Sequence, residues 1–179
     1  MSDLRAAVFI DSGYLAKILK SEFGEPRLAF DKFSDLLVGE TYERLRTYFY
    51  YCMPYQGSPP TDDEKGRYGK AQGWITSLQR LPRFEVRLGR LVKRGTSFEQ
   101  KRVDVLLSVD LVRMSWDHQI QKAVLVSGDS DFVPAVQAAK DAGVLVHLCY
   151  SRSAIHYELL NSCDERFLIT RDLINRSLG

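Results

Sequence analysis

Apolar runs of strand length alternate along this chain with segments of helical spacing, and that alternation restricts the fold more than any other feature. Residues 5–10 (RAAVFI), 46–53 (RTYFYYCM), 84–92 (FEVRLGRLV), 123–126 (AVLV) and 144–150 (VLVHLCY) read as strands. The helical segments lie between them. Residues 14–23 carry Leu15, Ile18 and Leu19 at helical spacing and are closed by Gly24 and Pro26. Phe30, Phe33, Leu36 and Leu37 mark a second short helix, and residues 65–81 set Trp74, Ile75, Leu78 and Leu81 on one side of a third. Residues 103–116 and 132–142 supply two more, the latter stopped by Gly143. A helical turn at 155–160, a short strand at 166–169 and a terminal helix at 172–178 complete the pattern. Residues 54–62 (PYQGSPPTD) form the clearest loop, and 93–101 reads as a second loop free to move. Strands separated by helices imply parallel β-α-β units and a sheet covered on both faces. In such sheets ligands bind outside the carboxyl ends of the strands, which is where chemistry is sought below.

A chain of 179 residues, 45% of them hydrophobic, suits one domain over residues 1–179 with one sizeable core. No apolar run is long enough to span a bilayer, so no membrane partner is expected. Residues 1–10 lack the apolar core and cleavage site of a signal peptide and read as the first strand. Cys52, Cys149 and Cys163 are odd in number, widely spaced and outside any zinc-ligand pattern, so they read as free thiols in a reducing cytoplasm. The net charge of +2 is too small to identify a nucleic-acid partner. Its distribution says more. Arg80, Arg83, Arg87, Arg90, Lys93, Arg94, Lys101 and Arg102 face only Glu85 and Glu99 within one stretch, a local excess of six positive charges.

Acids gather where the strands stop. Asp11 ends the first strand, and Asp129 and Asp131 follow the strand at 123–126, so all three belong to one edge of the sheet. In the 103–116 helix, Val103, Leu106, Leu107, Leu111 and Met114 form an apolar arc; Asp110 falls inside it and Asp104 at its margin. A buried isolated charge is costly, so such an acid needs a partner or a metal. Converging carboxylates repel one another, and a divalent cation relieves that conflict. Oxygen-only ligands favour Mg²⁺ or Mn²⁺ over zinc, and such a site suits phosphodiester hydrolysis. Each acid also has a structural explanation. Asp11 would serve the turn at Ser12-Gly13, Asp104 the first turn of its helix, Asp129 and Asp131 a cap before Phe132, and Asp110 a buried Arg or Tyr.

Three blocks taken in order, VFIDSGYL, EQKRVDVLLSVDLV and KAVLVSGDSDFVPAVQAAKDAGV, resemble the NYN domain family, LabA-like members of the PIN-like nuclease superfamily. The resemblance runs from about residue 6 to residue 150, and SGDSDF followed by a proline-containing helix is its most specific part. It implies a PIN-like Rossmann-type three-layer α/β sandwich with a mostly parallel central sheet. It implies a ribonuclease that hydrolyses RNA with Mg²⁺ or Mn²⁺, the metal and the chemistry resting on Asp11, Asp104, Asp129 and Asp131. Asp110 matches a further family acid, and Ser127 and Ser130 match small polar positions beside the acids. One position departs: the family's first block reads acid, two residues, then Asn, and here Tyr14 stands there. A phenol cannot make a carboxamide's hydrogen bonds in the same space.

The basic stretch precedes Asp104, and Lys101, Arg102, Arg90, Lys93 and Arg94 are its candidates for phosphate contact with single-stranded RNA; Lys101 matches the family's KxxD lysine. Phe84 or Phe98 would add base stacking, against the plainer reading of a solvated basic strand. The 54–62 loop reads equally as a substrate cover and as a connection. His118, His147 and His156 fall at no ligand spacing and receive no catalytic role. Trp74 and the Tyr48, Tyr50 and Tyr51 cluster read as packing aromatics, whose surface also allows a homodimer. Two other functions compete with the nuclease. One is a non-catalytic RNA-binding or regulatory module, which Tyr14 and the small net charge motivate. The other is a small-molecule phosphatase, disfavoured because Gly13 replaces the second acid of a DxD; no GxxxxGK[ST] is present for nucleotide binding.

Overall fold

A computed structural model describes residues 4–179, apart from the side chains of residues 92, 94 and 98–101. In chain order the elements are β1 (Arg5–Asp11), α1 (Ser12–Phe23), α2 (Phe30–Val38), β2 (Glu43–Cys52), α3 (Asp62–Gln79), β3 (Phe84–Arg94), β4 (Ser97–Lys101), α4 (Val103–Trp116) and β5 (Lys122–Val126). A 3-10 turn (Ser130–Phe132), α5 (Val133–Asp141), β6 (Leu145–Tyr150), α6 (Tyr157–Ser162), β7 (Glu165–Leu168) and α7 (Arg171–Arg176) follow.

The strands form one seven-stranded sheet in the order β4-β3-β2-β1-β5-β6-β7. Every neighbouring pair is parallel except β3 with β4. The chain therefore winds outward from β1 to β2 and β3, then outward the other way through β5, β6 and β7. The reversal lies between β1 and β5, where two crossovers diverge and a crevice opens at the carboxyl edge.

The inner strands are apolar on both faces, as a sheet between two helical layers requires. Ala7, Phe9, Ala123, Leu125, Val146 and Leu148 pack under α4, α5 and α6. The alternating set Ala6, Val8, Ile10, Val124, Val126 and Cys149 packs under α1, α2, α3 and α7. The result is the expected three-layer α/β sandwich. The aromatics expected to pack do so: Trp74 stands edge-on to Phe49 and Tyr51, and Tyr48 stacks on Phe9. None of the three cysteines is joined in a disulfide.

The expected loop at 93–101 is instead a hairpin. β3 runs on to Arg94, Gly95 turns at φ +61°, and β4 returns with Arg94 opposite Ser97 and Arg90 opposite Lys101. A glycine at the first central position is what a two-residue hairpin turn needs. Charged composition hid the strand, because an edge strand with no helix over it carries no apolar alternation. β2 pairs with β3 only as far as Cys52 opposite Gly89, so the hairpin overhangs the carboxyl edge. α4 starts directly after it and brings Asp104 to that same edge. α1 also begins earlier than its spacing suggests, at Ser12, because Asp11 itself caps it.

Candidate functional site

Asp11 closes β1 and caps α1 in the same residue. Its Oδ1 accepts the Tyr14 N–H at 3.1 Å. Its Oδ2 accepts the Ser127 hydroxyl at 3.3 Å. Ser127 is fully buried at the end of β5, and its Oγ also accepts the Asp129 N–H at 3.3 Å. One hydroxyl thus joins the acid of β1 to the acid after β5 across the crevice. Asp129 accepts the Asp131 N–H at 3.0 Å, which caps the 3-10 turn. The capping roles anticipated for Asp11 and Asp129 are real, Asp131 only donates its N–H to that cap, and the caps fix the two carboxylates without supplying a countercharge.

The electrostatics are those of acids gathered without an ion-pair partner among the described residues. Burial raises the Asp11 carboxyl above its ordinary range, and the charge of Asp104 raises it further. Asp104 is raised first by burial, then by Asp129 and Asp131. Among the described residues no Lys, Arg or His forms an ion pair with any of these four acids. Nor, among the described residues, do three His, Cys, Asp or Glu side chains already close on a common point as metal ligands. An all-oxygen donor set, mutually repelling and without a salt-bridge partner, matches the chemistry of Mg²⁺ or Mn²⁺. Asp104 is exposed and makes no capping bond among the described residues, so its carboxylate can turn toward one.

Asp11, Asp104 and Asp129 line one side of a recess of about 660 Å³. Asp131 does not line it and lines instead a groove with Val109, Val112 and Pro134 between α4 and α5. Ser130 opens the 3-10 turn half-exposed, and among the described residues its hydroxyl reaches no acid. Asp110 is not brought to this edge. It is buried and accepts from Tyr50 Oη at 3.0 Å, Arg87 Nε at 3.2 Å and Arg113 at 3.2 Å. It ties α4 to β2 and β3, the structural alternative its place in the apolar arc allowed.

The recess has a second wall that the sequence did not reveal. Lys17 of α1 and Ser153 and His156 of the β6–α6 loop line it together with the acids. This loop is keyed to the SGDSD turn through Gly128. A Cβ there would meet the Ala154 carbonyl oxygen at 2.1 Å and Tyr14 Cε2 at 2.6 Å, so only glycine allows the approach. The His156 N–H donates to the Gly128 carbonyl at 3.0 Å. Tyr14 completes the joint: its Oη accepts the Ser151 N–H at 2.9 Å, and burial pushes its phenol up to about 12. Where the family has Asn, this chain has a strut between α1 and the β6–α6 loop. Ser151 and Ser153 both donate their hydroxyls to Glu22.

Of the basic candidates, Arg90 and Arg102 are exposed, and Lys93 is exposed with its Nζ 5.7 Å from the Tyr55 ring centre. The side chains of Arg94, Lys101 and Phe98 lie outside the described residues. Phe84 is buried under α3. The 54–62 loop does not line the recess.

A search for relatives agrees with this architecture. An uncharacterized protein, y4oD, of Sinorhizobium fredii (strain NBRC 101917 / NGR234) is 37% identical over 73 residues, covering 41% of this chain and 33% of that protein. The chain thus matches about a third of that relative's length. The crystal structure of a protein of unknown function, VPA0982, from Vibrio parahaemolyticus RIMD 2210633 superposes with a TM-score of 0.71 at 18% identity, over 96% of this chain and 98% of that one, a likeness of fold. The family model for the NYN domain matches residues 5–171. With nearly its whole length so matched, the chain belongs to the NYN domain family, a PIN-like family composed generally of nucleases.

Proposed function

We propose that the protein is a metal-dependent endoribonuclease whose centre is the carboxyl edge between β1 and β5. One observation carries the reading: Asp11, Asp104 and Asp129 line one recess at the topological reversal, burial and the neighbouring acids raise the Asp11 and Asp104 carboxyls, and no ion pair among the described residues balances any of the three. Asp11, Asp104 and Asp129 are the residues that would hold Mg²⁺ or Mn²⁺, with Asp131, two residues beyond Asp129, as a further ligand or a water-mediated one. The cation supplies Lewis acidity, which activates water and neutralises charge on the phosphate and the leaving oxygen. Ser127 holds the Asp11 carboxylate in orientation while contributing to the Asp129 turn. The overhanging β3–β4 hairpin carries exposed Arg90 and Lys93, and exposed Arg102 follows it; a basic segment of this kind, which in sequence also includes Arg94 and Lys101, suits single-stranded RNA. Free thiols suit a reducing cytoplasm, and no helix among the described residues is long and apolar enough to cross a membrane.

Tyr14 favours a second reading, an RNA-binding module without catalysis. Its hydroxyl is taken by Ser151, so it offers the acids nothing equivalent to a carboxamide. Labelled single-stranded RNAs incubated with Mn²⁺, Mg²⁺ or EDTA separate the two. Cutting by the wild type and not by Asp129→Asn supports the nuclease. RNA bound but uncut under every metal supports the module.

A further inference from the structure

Lys17 of α1 and His156 of the β6–α6 loop form the wall of the recess that the acids do not supply. The sheet order puts β3 and β4 beyond β2, whereas the recess lies over β1, β5 and the β6–α6 loop. Phosphate contacts on the hairpin alone would hold an RNA strand on one side of the acids only. At about 660 Å³ the recess falls within the ~300–1,000 Å³ range usual for small-ligand sites. Its lining includes the Tyr14 ring, Ala154 and Ile155, which offer apolar surface, and Lys17 and His156, which offer polar donors.

Those two side chains have their donors free. Lys17 is exposed and forms no ion pair among the described residues, and the His156 imidazole makes no side-chain hydrogen bond among them. Ser153, the other polar group on that wall, is already committed to Glu22. The wall is also held in register with the acids: the His156 main chain bonds Gly128, the residue before Asp129, and Lys17 lies one helical turn past Tyr14, whose ring contacts the same glycine.

We propose that this recess receives one unstacked nucleotide of the substrate strand, its phosphate held by Lys17 and His156 and its base against Tyr14 and Ile155. This deepens the ribonuclease reading and rests on it for the identity of the ligand as RNA. The strand runs from the hairpin across the acids into the recess, so the cut falls between two anchored flanks. A base must leave its stack to enter, and this selects single strands over duplex.

The test uses the full chain. Anisotropy of a fluorescent single-stranded RNA is measured with Asp129→Asn in EDTA, alone and combined with Lys17→Ala, Lys17→Arg or His156→Ala, over a range of salt. Cleavage by the otherwise wild-type variants is measured in Mn²⁺. Lys17→Ala is expected to weaken binding by about fivefold to tenfold and to flatten the salt slope by about 0.7, the single-strand value for one phosphate contact. Lys17→Arg restores the slope, and His156→Ala weakens single-strand binding while duplex binding is unaffected. In cleavage, the loss for both alanine variants falls on KM more than on kcat. Unchanged affinity and slope in both alanine variants, or equal losses for duplex and single strand, overturn the proposal even where the wild type cuts RNA. Lys17-dependent binding with no cutting by the wild type supports the recess and removes the nuclease reading instead.

Discussion

Replacing Gly128 with alanine puts a methyl carbon 2.1 Å from the Ala154 carbonyl oxygen and 2.6 Å from Tyr14 Cε2. The first of these neighbours is backbone and the second a ring braced at its hydroxyl, so neither yields by rotating a flexible side chain. The β6–α6 loop must withdraw by about 1 Å to relieve the overlap, and overpacking of this kind costs about 1–3 kcal/mol. Withdrawal also strains two hydrogen bonds, His156 N–H to Gly128 O at 3.0 Å and Ser151 N–H to Tyr14 Oη at 2.9 Å, each worth about 1 kcal/mol. A total of about 3 kcal/mol lowers Tm by about 6–12 °C in a chain of this size. The same displacement moves Asp129, the next residue, and a 1 Å error at a catalytic centre costs about a hundredfold in rate. Thermal unfolding and single-turnover RNA cleavage read both effects. Gly69→Ala is the control: it lies within α3 with nothing within 4 Å of the new carbon, and it should leave Tm unchanged or raise it by a few degrees. Gly128→Ala with wild-type Tm and wild-type cleavage would refute the interlocked loops.

Asp110→Ala removes the acceptor shared by Tyr50, Arg87 and Arg113, and breaking such a buried network costs about 3–5 kcal/mol, seen as a Tm lower by about 6–20 °C. Cleavage at a temperature where the variant remains folded should survive; its loss there would return Asp110 to the catalytic set. Tyr14→Phe leaves the Ser151 N–H without its acceptor and should cost about 1–2 kcal/mol in denaturant unfolding, with unchanged stability arguing against a strut. The raised carboxyl of Asp104 means that the folded state binds its proton more tightly than the unfolded chain, so stability falls as pH rises through that raised value. Asp104→Asn in EDTA should therefore be more stable than the wild type at pH 7, the advantage shrinking as pH falls toward the ordinary value of 3.8; unfolding curves that coincide at neutral pH would contradict it.

The parallel sheet and its order of elements were legible because buried strands such as residues 123–126 are continuously apolar, and helices such as α1 keep their spacing. The acids at the edge were legible for a related reason: a strand's carboxyl end is a fixed place in this architecture, so Asp11 and Asp129 could be assigned to one edge from chain order alone. Asp104 shared its helix with Asp110, and the two differ only in which way they face. The arc showed Asp110 to be buried, but its partners came from β2 and β3, tens of residues away. β4 was missed because an edge hairpin of charged residues has no burial pattern to read. Lys17 and His156 were missed because nothing in their local sequence marks them. They come to the acids only through the contact of Gly128 with Ala154 and Tyr14, a packing event between two loops and α1. The one signal present was the place of residues 151–156 after a strand at the carboxyl edge. The departure at Tyr14 was visible, but its function as a brace depended on Ser151.

The central claim is that a divalent cation on Asp11, Asp104 and Asp129 drives RNA cleavage. A manganese titration of the wild type, with bound metal and the cleavage rate of a single-stranded RNA followed in the same samples, tests it most directly. The account predicts that cleavage rises with metal occupancy, vanishes in EDTA, and that both signals are lost together in Asp129→Asn. Cutting that persists in EDTA or in Asp129→Asn, or metal bound at those acids with every RNA left intact, would contradict it.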